Sequence, residues 1–348
     1  MRTQLAAGFD HGILHAMQLI WLSEGDPTRG NQTDAQERSF EAYADGPLKK
    51  DPKAFFPTPP PADIQRYRRL PLLRGWREKI RWKSHYQAWN KDYRASYAAY
   101  EANDTCWAEW WRHSDGGRPT IICIHSWATA QAPIQEWVFA AWRLYLAGWD
   151  VVLPVLPFHG KRTPRQAWFS GQLFPGTKPG RCNEAFGQAA WDIRSLIFAL
   201  RERGSGPIGV TGASLGGYTS AMLAGLDSEL AFCIPVIPLV SFGDTLWTHG
   251  EGGPHRKRAE ALGVTIERLR EVYAPHSPLY WKPAIPRERL MIVAGRGDRV
   301  CPPEHIEWLW DHWGRPRIAW FEGGHIIHFG RRRVMREVKD FLNDLQIL

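Results

Sequence analysis

The chain has 348 residues, 44% of them hydrophobic, with 19 tryptophans and a formal net charge of +8 at pH 7. That length and apolar content support the full core of one large α/β domain with additions, or of two small domains. No apolar run reaches the roughly 18 residues a membrane span needs, and no recognisable nucleic-acid-binding motif accompanies the positive charge.

Residues 1–100 read as an N-terminal helical extension and linker. Asp10, His11 and His15 interrupt the stretch that would have to be apolar in a signal peptide, so none is expected. Ile13, Leu14, Met17, Ile20 and Trp21 repeat at helical spacing. This predicts an amphipathic helix docked on the body, with peripheral membrane contact as the alternative. Asp45 to Pro61 is polar and proline-rich, which predicts an extended linker. Arg66, Arg68, Arg69, Arg74, Arg77, Lys79, Arg81 and Lys83 carry much of the net charge, together with Arg331, Arg332 and Arg333. They are expected to form a solvated face; attraction to anionic lipid or an acidic substrate is the sharper alternative.

From residue 101 onward, strands and helices alternate. Strands are predicted at Cys106–His113, Thr120–Ile124, Val151–Val155, Ile208–Thr211, Phe232–Val236, Leu290–Ala294 and Ile318–Phe321. Helices are predicted from Trp137 to Leu146, from Glu184 to Glu202 and after Ser214, with another from Pro303 through Trp310. Such alternation implies a mostly parallel sheet covered by helices on both faces. Residues 239–287 interrupt it with a charged helix near Arg256 to Tyr273, which predicts a cap inserted over the strand ends. The loop from Phe158 to Arg181, with His159, is expected to form a pocket wall. Of the five cysteines, Cys123 and Cys233 fall in predicted strands, and Cys106, Cys182 and Cys301 complete a set without metal-ligand spacing. Their odd number suits a reducing compartment, so the cytoplasm is the expected location.

Gly212-Ala213-Ser214-Leu215-Gly216 reads G-x-S-x-G between a predicted strand and a predicted helix. That context places a serine hydroxyl on a strained turn above the sheet edge. A nucleophilic serine needs a base, and the base needs an orienting acid. Asp298 follows the Leu290–Ala294 strand, and is preferred to Asp311 or Glu307. His325 follows the Ile318–Phe321 strand through Gly323 and Gly324, and His328 is its rival. The bland readings are a turn aspartate and a surface histidine. Serine, acid and histidine in this order, each after a predicted strand, favour the catalytic reading.

With these motifs the chain resembles the α/β-hydrolase superfamily, in particular its esterase and lipase-like members, over roughly residues 104–345. Ile121-Ile122-Cys123-Ile124-His125-Ser126-Trp127 adds to the resemblance. Leu153-Pro154-Val155-Leu156-Pro157-Phe158-His159-Gly160 and Glu322-Gly323-Gly324-His325-Ile326 look like an abhydrolase branch with a long N-terminal segment. The resemblance implies an α/β-hydrolase fold and a Ser214–His325–Asp298 triad. It implies an oxyanion hole from the Leu215 N–H and, by position, the Trp127 N–H, with Ser126 where the family usually has glycine. His125 is expected to be a packing residue. Trp127, Trp168 and His159 are the expected substrate-lining residues. The implied activity is cleavage of a small-molecule or lipid-like acyl ester without metal or cofactor. Thioester, amide or peptide cleavage, or a silent hydrolase-fold binding protein, are the alternatives. Oligomeric state and acyl specificity are left open.

Overall fold

Apolar runs of strand length become the centre of a ten-stranded sheet. The computed structural model describes residues 8–12, 14, 15, 17, 18 and 41–347. The strands are β1 (Gln65–Leu72), β2 (Gly75–Lys83), β3 (Thr105–His113), β4 (Thr120–Ile124), β5 (Asp150–Pro154), β6 (Ile208–Ala213), β7 (Cys233–Val236), β8 (Met291–Gly295), β9 (Arg317–Gly323) and β10 (His328–Phe329). Their order across the sheet is β1-β2-β3-β5-β4-β6-β7-β8-β9-β10. The six strands from β5 through β4 to β9 run parallel, while β1, β2 and β3 join antiparallel at one edge and β10 at the other.

The central strands are buried on both faces, as parallel strands must be when helices cover each side. Alternate residues therefore enter different clusters. Ile122 and Ile124 of β4 pack with Phe186, Ile193, Tyr218 and Met222. Ile121 and Cys123 pack with Ala141, Val334 and Phe341. The helices behind these contacts are α1 (Ala132–Val138), α2 (Ala141–Leu146), α3 (Pro179–Glu202), α4 (Leu215–Leu226), then α5 (Phe242–His249), α6 (Pro254–Ala261), α7 (Ile266–Tyr273), α8 (Pro303–His312) and α9 (Arg331–Asp344). The predicted helix from Trp137 to Leu146 is in fact two, α1 and α2, broken where Ala140 takes φ 50°. The charged helix predicted across Arg256–Tyr273 also divides, into α6 and α7, around Gly263 at φ 77°.

The division at residue 100 needs correction. Residues 65–83 form the β1–β2 hairpin, which continues the main sheet through full pairing of β2 with β3. The arginines that hid these strands serve them. Arg66 and Arg69 lie 3.4 and 3.2 Å from the buried Glu78, and Arg77 lies 2.6 Å from Glu136. Arg69 also stacks 3.5 Å from the Trp76 ring centre, and Lys161 3.9 Å from that of Trp107. Long basic side chains can cover apolar surface with their stems while keeping the charge wet. Much of the basic cluster is thus paired or stacked.

The stretch from 45 to 61 is likewise more than an extended linker. It forms a helical turn at Pro47–Lys50 and a 3-10 turn at Pro52–Phe55, and it buries Leu48, Phe55 and Phe56. Glu184 of α3 anchors the surrounding segment. Its carboxylate accepts from the Tyr43 and Tyr86 hydroxyls and from the Trp89 and Asn90 N–H groups at 2.9 and 3.0 Å. Burial raises this carboxyl above its usual range, and the four donors oppose that rise. Of the predicted N-terminal helix, residues 8–12, 14, 15, 17 and 18 are helical. Ile13, Ile20 and Trp21 lie outside the described residues. Among the described residues, no helix is long and apolar enough to cross a membrane.

Candidate active site

The strand–turn–helix reading of the serine pentapeptide holds in atomic detail. β6 ends at Ala213 and α4 starts at Leu215, so Ser214 alone makes the turn. It takes φ 55° and ψ −113°, a conformation that side chains rarely adopt. The glycines make that turn sterically feasible. A Cβ on Gly212 would meet the Gly216 carbonyl at 2.2 Å, and one on Gly216 would meet the Ile124 carbonyl at 2.0 Å. The Ser214 turn therefore packs directly on the end of β4. Ser214 remains partly exposed.

Two further parallel strands deliver the partners at the same sheet edge. Asp298 follows β8 and His325 follows β9, both buried. His325 Nε2 lies 3.0 Å from Ser214 Oγ, and His325 Nδ1 lies 2.8 Å from Asp298 Oδ2. The other Asp298 oxygen accepts from the Val300 and Cys301 N–H groups at 2.9 and 2.8 Å. Those backbone donors lock the carboxylate so that only Oδ2 faces the imidazole. Burial of His325 disfavours its charged form, yet the Asp298 charge and hydrogen bond, aided by Asp10, outweigh it and raise its pKa above the ordinary value. The ring is accordingly suited to take a proton.

His328 is placed differently from its sequence neighbour. Its Nε2 donates to the His325 carbonyl at 3.0 Å, across the turn between β9 and β10. It supports the loop that carries His325.

The loop after β4 lies beside the serine. Ser126, which stands where a glycine was expected, uses its hydroxyl to donate to the Ala213 carbonyl at 3.1 Å. The residue therefore ties this loop to Ala213, just before Ser214. Trp127 is half-buried, and its indole N–H donates to the Gly171 carbonyl at 2.7 Å. Leu215 occupies the first position of α4, where helix geometry leaves its N–H without an intrahelical acceptor. His125 packs at the strand end as expected. It accepts from the Leu156 N–H through Nε2 at 3.0 Å and donates to its neighbour's carbonyl through Nδ1, and burial lowers its pKa to about 4.

The expected substrate-lining set needs revision at His159. This ring is wholly buried, donates to the Pro157 carbonyl at 2.8 Å and lies edge-on to His125. It supports the 158–181 loop from beneath, because the polar backbone of a tight loop draws the imidazole inward. Trp168 is 84% exposed and projects to solvent.

Sequence reasoning missed Asp10. It is completely buried, and its carboxylate accepts from the His325 and Arg299 N–H groups. Asp10, Leu14 and Met17 recur at intervals of four and three. An acid on the inward face of an amphipathic helix was the signal that could have found it.

Among the described residues, one group has metal-ligand spacing. Asp298, Cys301 and His325 present ligand atoms within 4.8 Å of one another. The Asp298 and His325 atoms are already committed to each other and to the backbone. Burial also raises the Cys301 thiol well above its usual value, which keeps it protonated and a poor ligand.

A family model described as "alpha/beta hydrolase domain containing 18" matches residues 122–255. An uncharacterised protein of Mycobacterium tuberculosis is 33% identical over 319 residues, covering 89% of this chain and 74% of that protein. Two solved structures share the fold at low identity. An acetyl xylan esterase from a Paenibacillus species superposes with a TM-score of 0.58 at 16% identity, covering 91% of this chain and 96% of its own. Acetyl xylan esterase 1 from a Thermoanaerobacterium species gives 0.56 at 14%, covering 86% and 99%. The matching family model, the serine turn and the mostly parallel ten-stranded sheet agree, and the chain belongs to the α/β-hydrolase superfamily.

Proposed function

We propose that this protein is a serine hydrolase that cleaves a carboxylic ester through an acyl-enzyme. The observation that carries the reading is the continuous relay Ser214 Oγ, His325 and Asp298, with links of 3.0 and 2.8 Å. Ser214 Oγ attacks the acyl carbon while His325 Nε2 takes its proton. The carbonyl oxygen becomes an oxyanion, which the Leu215 N–H and the Trp127 N–H receive beside the positive end of α4. His325 then protonates the leaving alcohol, and the carbonyl re-forms as the acyl-enzyme. Water repeats the sequence on the acyl group, with His325 again as base, and frees the acid and Ser214. Asp298 holds the tautomer with its proton on Nδ1 and stabilises the imidazolium. The acetyl xylan esterases that share the fold support an ester as substrate, and an acetyl or other short acyl ester is the first to assay. Trp127 is the residue proposed to border the acyl group.

The insertion between β7 and β8 is the proposed cap. It holds α5, α6 and α7, braced by the Arg270–Asp244 pair at 2.6 Å. His249 at the end of α5 donates to the Val300 carbonyl at 3.0 Å, beside the acid loop. Removing residues 250–264, none of which is fully buried, and joining the ends should change the ratio of short- to long-acyl ester rates and leave the triad chemistry intact. Steady-state rates across a p-nitrophenyl ester series, from acetyl to longer chains, test both claims. No turnover of any ester by folded protein would contradict the hydrolase reading. Unchanged relative rates in the shortened variant would contradict the cap.

A further inference from the structure

Both loops that carry the base and the acid are held by one side chain from the beginning of the sequence. The two Asp10 oxygens accept from the His325 N–H at 2.9 and 2.8 Å, across 315 residues of sequence. Oδ2 also accepts from the Arg299 N–H at 3.0 Å, next to Asp298. A carboxylate survives full burial only when hydrogen bonds or charges compensate it, so these contacts bind Asp10 as firmly as it binds the loops.

The surroundings are fitted to this contact. A Cβ on Gly324 would lie 2.5 Å from Asp10 Oδ2, so only glycine leaves room for the carboxylate beneath His325. The same helical segment has two further anchors. Gln18 Nε2 donates to the His249 carbonyl at 2.6 Å, and His249 in turn donates to Val300 in the acid loop. Met17 is buried and Leu14 packs against the main core. The segment thus touches the base loop, the acid loop and the proposed cap together.

We infer that Asp10 is a positioning residue for the triad, an inference that rests on the serine-hydrolase reading. It fixes the height of His325 against Ser214 and the turn that follows Asp298. Its negative charge favours the imidazolium that forms when Ser214 loses its proton. It takes no proton itself and touches no substrate. The groups facing or near the His325 ring are Ser214, Asp298, Cys301, His249 and His328, and of these Asp298 alone brings a second negative charge.

The test compares full-length wild type with Asp10→Asn, Asp10→Ala and Gly324→Ala on p-nitrophenyl acetate, each normalised by fluorophosphonate active-site titration. In Asp10→Ala, kcat per titrated site should fall about 10- to 100-fold, the scale of a slightly misplaced catalytic group. KM should move less than about threefold. Asp10→Asn keeps an oxygen acceptor without the charge and should fall less. Gly324→Ala displaces the carboxylate and should reproduce the kcat loss with Asp10 still present. In both Asp10 variants the acid limb of kcat/KM should move to lower pH, because a charge that favours protonated His325 is gone. If fewer titratable sites account for all the lost activity and the acid limb stays in place, Asp10 is merely structural and the inference is overturned. If Asp10→Ala does not fold, Asp10→Asn and Gly324→Ala decide by the same criteria. Should wild type hydrolyse no ester, the hydrolase reading falls separately. The NMR titration of the His325 ring then decides on Asp10: a lower pKa in Asp10→Asn supports the contact, and an unchanged one overturns it.

Discussion

Replacing Asp298 with asparagine should lower turnover by about 10⁴, the effect of the equivalent change in an unrelated serine protease triad. The size follows from the geometry. Asp298 Oδ1 is fixed by the Val300 and Cys301 N–H groups, so the side chain does not rotate freely. Asparagine in that pose keeps its own carbonyl oxygen on these two donors. Its NH2 group then faces His325 Nδ1, and a donor there draws the imidazole into the tautomer with its proton on Nε2. That proton blocks acceptance from Ser214 Oγ. The loss should appear in kcat with KM little changed, because Asp298 does not face the substrate. Asp311→Asn and Glu307→Gln, on α8, should stay near wild type. Near-normal turnover of Asp298→Asn would move the acid to another residue.

His325→Ala should be as damaging as loss of the nucleophile, since triad members act as a unit and the effect of either alone approaches that of removing all. His328→Ala should retain most activity. Its imidazole supports the turn through the His325 carbonyl and stays outside the relay. Some loss of thermal stability is expected there, on the order of 1 kcal/mol for one hydrogen bond. The pair is measured as kcat on one activated ester together with a thermal melt. An inactive His328→Ala beside an active His325→Ala would reverse the roles. The raised pKa of His325 adds a pH expectation. The base works only when neutral, so kcat/KM should fall as pH drops through a value above that of an ordinary histidine.

Much of the sheet was legible because its central strands are buried on both faces and read as continuous apolar runs, such as Ile121–Ile124 and Met291–Ala294. Ser214, Asp298 and His325 were legible as candidates because each stands in the turn or loop that follows a predicted strand, close to glycines. The β1–β2 hairpin was not legible. β1 is exposed along nearly its whole length, so no apolar alternation marks it. Its hold comes from pairing with β2 and from Arg69 stacked on Trp76 across the hairpin. The prolines of residues 52–61 suggested a linker, while Phe55 and Phe56 fold back into the core. The two helix breaks, at Ala140 and Gly263, come from single positive-φ residues inside sequence that keeps helical character. His159 and Asp10 are decided by tertiary partners. A histidine in a pocket-wall loop reads the same whether its ring turns outward or, as here, down onto His125. Asp10 finds its donors roughly 300 residues away, where no local pattern reaches.

If Ser214 is the residue that becomes acylated, its hydroxyl must be the one activated in the folded protein. A fluorophosphonate reacts covalently with an activated serine and with little else, so the site of the adduct identifies that hydroxyl directly. Full-length protein would be labelled, digested and mapped by mass spectrometry, beside folded Ser214→Ala and His325→Ala variants. One adduct is expected, on the peptide holding Gly212-Ala213-Ser214-Leu215-Gly216, absent from Ser214→Ala and strongly slowed in His325→Ala. Labelling of another serine, or undiminished labelling of Ser214→Ala, would contradict it.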